Sequence, residues 1–110
     1  MRSSRQPELP GMLATLCQYE NMLGPYHPQT LNLLTQVAGA YLQVGEFDFA
    51  RSLLERAVRG TGKYLGYAHD LRMRAIANLR DLVTAQGEYD RAETLQAELR
   101  HQAPHTMVLQ

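Results

Sequence analysis

The sequence predicts an all-α chain folded as a short α-solenoid of about five antiparallel helices, and three observations predict it. Apolar residues recur at spacings of three and four, the helical period. The chain coincides with itself when shifted by 42 residues. Glycines and a histidine punctuate the apolar runs at the same places in each period, Gly24, His27 and Gly45 matching Gly66, His69 and Gly87.

The coincidence is detailed. Under the shift Leu23 falls on Leu65, Gly24 on Gly66, His27 on His69, Gly45 on Gly87 and Glu46 on Glu88. Asp48 falls on Asp90, Ala50 on Ala92 and Leu53 on Leu95, so the segments GEFDFARSLL and GEYDRAETLQ stand in register.

The stretch 9–23 reads as the second helix of a truncated leading unit, because it lies one period before the helix that contains Leu53. Its apolar residues Leu9, Met12, Leu13, Leu16, Cys17, Tyr19, Met22 and Leu23 spread over more than one face. The next helix spans 28–44. Pro28 suits a first turn, where a missing N–H is no loss. Leu31, Leu34, Ala38 and Tyr41 form one face, which Val37 and Val44 widen, and Gly45 ends the helix. Asp48 or Glu46 is placed to cap the following helix, whose stripe is Ala50, Leu53, Leu54, Ala57 and Val58. Ala38 and Ala50 are small where the two helices should approach most closely. The second unit repeats this over 70–86, with Met73, Ile76, Leu79 and Val83, and over 89–101, with Ala92, Leu95 and Leu99. The domain reading is then a repeat domain at 9–103, holding a half repeat at 9–24 and full repeats at 28–60 and 69–102. Loose ends at 1–8 and 104–110 flank it.

Composition narrows the function. Apolar residues make up 45% and charged residues 20%, which is globular and not disordered. Eleven basic residues balance eleven acidic ones, and the segment 28–60 is balanced too, so no segment offers the basic patch nucleic acid requires. The single Cys17 cannot staple the chain to itself, which favours a reducing compartment. No secretory signal and no membrane-length apolar run is evident, which makes a cytoplasmic location the default expectation.

The run LGPYHPQTLNLL, followed by A-x-x-Y and GEFDFARSLLERA, resembles the tetratricopeptide units of kinesin light chains and their relatives. Leu23, Gly24, His27, Pro28, Thr30, Leu31, Leu34, Ala38, Tyr41, Gly45, Phe47, Ala50, Leu54, Arg56 and Ala57 match that pattern, and the resemblance covers about residues 12–101. The second unit departs from it: Arg80 replaces Ala38, Val83 replaces Tyr41 and Gln96 replaces Leu54. Polar substitution of this kind suits a terminal repeat facing water.

No reactive constellation supports an enzyme. His27 and His69 share one place in the repeat, so a capping or turn role accounts for both. His101 and His105 are four apart, but Pro104 breaks the helix that a shared metal would need. Cys17 sits among Leu13, Leu16 and Tyr19 and reads as a small buried hydrophobe. The pairs Glu46/Asp48 and Glu88/Asp90 are repeated turn residues. No phosphate loop or nucleophile elbow appears, and neither a cofactor nor a metal is expected.

The resemblance implies that the first helix of each hairpin faces a concave groove where ligand peptides lie. Spacing places Asn32, Thr35, Gln36, Gly39 and Gln43 on that side of the first unit, with Arg74, Ala77, Asn78, Asp81 and Ala85 in the second. Asn78 matches the family's groove asparagine, and neutral amides both donate and accept, which suits an extended peptide backbone. The expected partner is a protein or peptide. A second reading is an assembly module that self-associates or caps a larger complex. There Met12, Leu13, Leu16 and Tyr19 would form an uncovered stripe that joins two copies as a homodimer.

Overall fold

The computed structural model describes residues 9–102. The expected loose ends at 1–8 and 104–110, with Pro104 and His105, lie outside the described residues, as does residue 103. Five helices follow one another: α1 (Leu9–Leu23), α2 (Pro28–Gln43), α3 (Phe47–Tyr64), α4 (Asp70–Ala85) and α5 (Tyr89–Gln102). Each packs on the next, and α2 also packs on α4, which sets the first helices of the two hairpins side by side. This is an all-α helical repeat.

The turns repeat bond for bond. Each hairpin turn carries a glycine with positive φ, Gly45 at 86° and Gly87 at 84°, where a Cβ would be strained. Gly45 N–H donates to the Leu42 carbonyl and Glu46 N–H to that of Tyr41. One period on, Gly87 donates to Thr84 and Glu88 to Val83, completing the same Schellman closure. The histidines cap as their shared position suggests: His27 Nδ1 accepts from Gln29 N–H at 3.1 Å and His69 Nδ1 from Leu71 N–H at 3.0 Å. At α3 the expected side-chain cap is absent. Glu46 is the N-cap residue but its side chain makes no capping bond. Asp48 instead lies in the first turn, where its charge suits the helix dipole.

The core runs through the hairpins as one cluster. Leu31, Leu34, Val37 and Ala38 of α2 meet Ala50, Leu54 and Ala57 of α3, and then Ala75, Ile76, Leu79, Leu82 and Val83 of α4, all fully buried. Burial of each large aliphatic side chain stabilises the fold by about 1.5–3 kcal/mol. Ala38 and Ala50 are both fully buried.

Three expectations need correction. First, α3 does not stop near Gly60 but continues to Tyr64. Gly60 and Gly62 lie inside the helix because neighbours crowd it there. A Cβ on Gly60 would meet Leu31 Cδ2 at 2.9 Å, and one on Gly62 would meet Arg72 Nε and the Tyr67 ring at 2.9 Å. Second, Cys17 is exposed, not a buried hydrophobe. Third, the α1 stripe is not left uncovered. Leu16 is buried, Met12 and Leu13 pack against the core, and Tyr19 is half-buried. Positions 12, 13, 16, 19, 20 and 23 share one side of a helix, and that side turns to α2. The outward side carries Ala14, Cys17, Gln18, Asn21 and Met22, so the expected stripe of Met12, Leu13, Leu16 and Tyr19 is covered in large part within the chain itself.

Candidate functional site

The side-by-side packing of α2 and α4 brings the expected binding residues onto adjacent helices. Asn78 of α4 stands half-buried against α2, its Nδ2 so near Gly39 that a Cβ there would lie 3.4 Å away. Glycine at position 39 thus lets an amide-bearing helix approach closely. Asn32 and Gln36 are exposed on α2 and line a cavity of about 220 Å³ with Tyr19, Gln29 and Leu33. Gln43 is exposed at the end of α2, and Arg74 and Asp81 are exposed on α4. Asp81 is not free, since Arg80 Nε donates to its Oδ1 at 3.0 Å. Arg74 makes no ion pair with any described residue.

Thr35 does not belong to this surface. It is buried, and its hydroxyl donates to the Leu31 carbonyl at 2.9 Å, one turn back. A threonine satisfied by its own helix packs as an apolar residue. Tyr19 also changes place, from the expected interface between copies to the wall of the α2 cavity. Sequence spacing missed Tyr19, Gln29 and Leu33 as cavity residues. The adjacency of α1 and α2 would have found Tyr19, because it lies on the same side of α1 as Leu16.

The surroundings are ionic where the two units join. Arg51 of α3 reaches the α4–α5 turn and grips Glu88 with both nitrogens, Nη1 to Oε2 at 2.6 Å and Nη2 to Oε1 at 3.1 Å. The same Nη1 donates to Gln86 Oε1 at 2.8 Å. Hydrogen bonding from Arg51 holds the Glu88 carboxyl below its ordinary range, and the same bond raises the guanidinium further. Glu55 extends the chain of charges by accepting from Arg91 Nη2 at 3.1 Å.

A second linkage is buried. Arg72 of α4 pairs with Glu98 of α5 at 2.6 Å and lies 4.7 Å over the Tyr67 ring, passing above Gly62. One period before Glu98 stands Arg56 of α3, which pairs with Glu20 of α1, and Glu20 is itself one period before Gly62. The helix that supplies the cation has changed between units, and Gly62 is the residue that admits the new route. Among the described residues, no group of three or more His, Cys, Asp or Glu is placed to hold a metal ion. No described helix is long and apolar enough to cross a membrane.

With this geometry in hand, the comparison with known proteins points one way. The chain is similar to kinesin-light-chain-related proteins. It is 43% identical over 53 residues to Protein KINESIN LIGHT CHAIN-RELATED 3 of Arabidopsis thaliana, a match covering 48% of this chain and 8% of that protein. It is 34% identical over 77 residues to Protein KINESIN LIGHT CHAIN-RELATED 2 of the same plant, covering 66% of this chain and 12% of that protein. The chain therefore spans only a small fraction of the length of either relative. No family model matches it. The partial similarity supports a tetratricopeptide-like kinship, in agreement with the repeated turns.

Proposed function

We propose that the chain is a protein-interaction module that receives an extended segment of a partner protein along the face shared by α2 and α4. The supporting observation is the placement of amide side chains on that face. Asn32 and Gln36 stand open on one helix, and Asn78 is held against the backbone of the same helix at Gly39. An amide fixed by packing has little rotamer freedom left to lose on binding, and it offers both a donor and an acceptor to a peptide backbone. Gln43 and Arg74 extend the face, and Arg74 supplies one cation for a neutral or mildly acidic segment. The similarity to kinesin-light-chain-related proteins is consistent with a binding role and says nothing of which partner.

The test is a binding measurement on partners recovered with the intact chain. Asn78→Ala combined with Arg74→Ala should weaken binding by about tenfold or more, the loss of one or two hydrogen bonds at about 1–1.5 kcal/mol each. The melting temperature of the variant should stay close to that of the parent. Unchanged affinity for every recovered partner would remove this face from the account.

A further inference from the structure

The last turns of α3 carry a feature that the protein-binding face does not use. Arg56, Arg59 and Lys63 follow one another at spacings of three and four and so share one side of the helix. With Gly60, Tyr26 and Tyr64 they line a cavity of about 190 Å³ at the edge where the α1–α2 loop meets the end of α3. The two tyrosines stack with ring centroids 4.6 Å apart, and both remain about half exposed. Lys63 Nζ lies 5.5 Å from the Tyr64 ring.

Two neighbouring cations at this corner lie together without a counterion among the described residues. Arg51, Arg56, Arg72, Arg80 and Arg91 each face a carboxylate. Arg59 and Lys63 make no ion pair with a described residue, although they sit one turn apart with like charge. A like-charged pair at that spacing opposes the helix. The helix dipole favours Lys63 in the final turn, but it does not require Arg59 and Arg56 to face the same cavity. Of the three cations only Arg56 has a counterion, Glu20, so the lining carries three positive charges less one, a net of two.

We propose that this cavity binds a phosphate dianion, with Arg59 and Lys63 as its principal contacts and Arg56 as the third cation. A phosphate monoester carries nearly two negative charges at neutral pH and three strong acceptor oxygens, which matches the net charge of the lining. Guanidinium meets such oxygens through two parallel N–H bonds, and the half-exposed tyrosines add hydroxyl donors and a wall for an ester group. The site faces the loop edge and does not involve Asn32, Gln36 or Asn78.

Amide chemical shifts of the full chain, titrated separately with inorganic phosphate and with phenyl phosphate, test it. Saturable shifts are expected at Tyr26, Arg59, Gly60, Lys63 and Tyr64, with Arg59→Gln, Lys63→Gln weakening the affinity by about tenfold or more. Tighter binding of phenyl phosphate would assign the source to an esterified group, and equal binding to the free anion. Both substituted residues are exposed, so the variant should fold as the parent does. The control is Arg74→Gln, Arg100→Gln, which removes equal charge elsewhere and should leave the affinity unchanged. Shifts that do not saturate, or that fall equally in both variants, would overturn the proposal.

Discussion

Arg80 Nη1 donates to Gln96 Oε1 at 2.7 Å, joining α4 to α5 at the two positions where the preceding unit has Ala38 and Leu54. Both members of an apolar contact have been exchanged together for a polar pair. In the first unit Ala38 and Leu54 are fully buried, whereas Arg80 and Gln96 are only half-buried. A polar pair suits positions that are only half-buried, as the end of a repeat array allows.

This relationship makes a coupling prediction. Gln96→Leu alone should cost about 0.5–1.5 kcal/mol, because it removes the acceptor for Arg80. Adding Arg80→Ala should recover most of that loss, giving a coupling of about 0.5 kcal/mol or more in a thermodynamic cycle. Denaturant unfolding of the four proteins measures it. Effects that simply add would mean that the two side chains do not depend on each other.

Gly62 offers a change of sign. In the parent, Gly62→Ala should destabilise by about 1–3 kcal/mol through overpacking, since the new methyl meets Arg72 and Tyr67 at 2.9 Å. With Arg72→Ala and Tyr67→Ala already in place, both crowding side chains are gone and the same substitution has more room. It should then stabilise by up to about 1 kcal/mol, the ordinary preference of a helix interior for alanine over glycine. Melting temperatures of the two pairs decide the matter.

The Arg51–Glu88 grip sets a pH dependence. Glu88 is held below its ordinary value of 4.5, so the folded state binds the proton less readily than the unfolded chain. The contribution is present above pH 4.5 and is lost as the pH falls through the depressed folded value. Glu88→Gln should therefore be less stable than the parent near pH 7, and the difference should close on acidification. A difference that stayed constant down to about pH 3, below the ordinary carboxylate range, would contradict the assignment.

The orientation of α1 is testable without any partner. Leu16→Ala should cost about 2–5 kcal/mol, as for other buried leucines. Cys17→Ser and Met22→Gln should each stay within about 0.5 kcal/mol of the parent, as exposed positions do. The Cys17 thiol, exposed in the folded chain, should react with a thiol reagent without denaturant. Protection of Cys17 together with tolerance at Leu16 would require α1 to be turned the other way.

The helices and turns were legible in the sequence because each rests on local chemistry. Gly45, Gly87, His27 and His69 act through bonds within a few residues of themselves. What escaped depends on neighbours. The spacing of Met12, Leu13, Leu16 and Tyr19 defines a side of α1 but not what meets it. Thr35 has the spacing of a groove residue, but its hydroxyl is spent on its own helix. The basic side of α3 was hidden by charge balance. Glu46, Asp48 and Glu55 cancel Arg51, Arg56 and Arg59 in composition, yet Glu46 and Asp48 lie at the start of the helix, far from Arg59 and Lys63.

The most direct test of the account places a photocrosslinking amino acid at single positions and identifies what it captures in the cell of origin. Position 36, in the cavity beside Asn32, samples the proposed face. Position 93, exposed on α5, samples the opposite end of the repeat array. The account predicts a discrete protein adduct from position 36 that disappears when Asn78→Ala and Arg74→Ala are introduced, and none from position 93. An adduct from position 93 alone, or one from position 36 that survives those two substitutions, would contradict it.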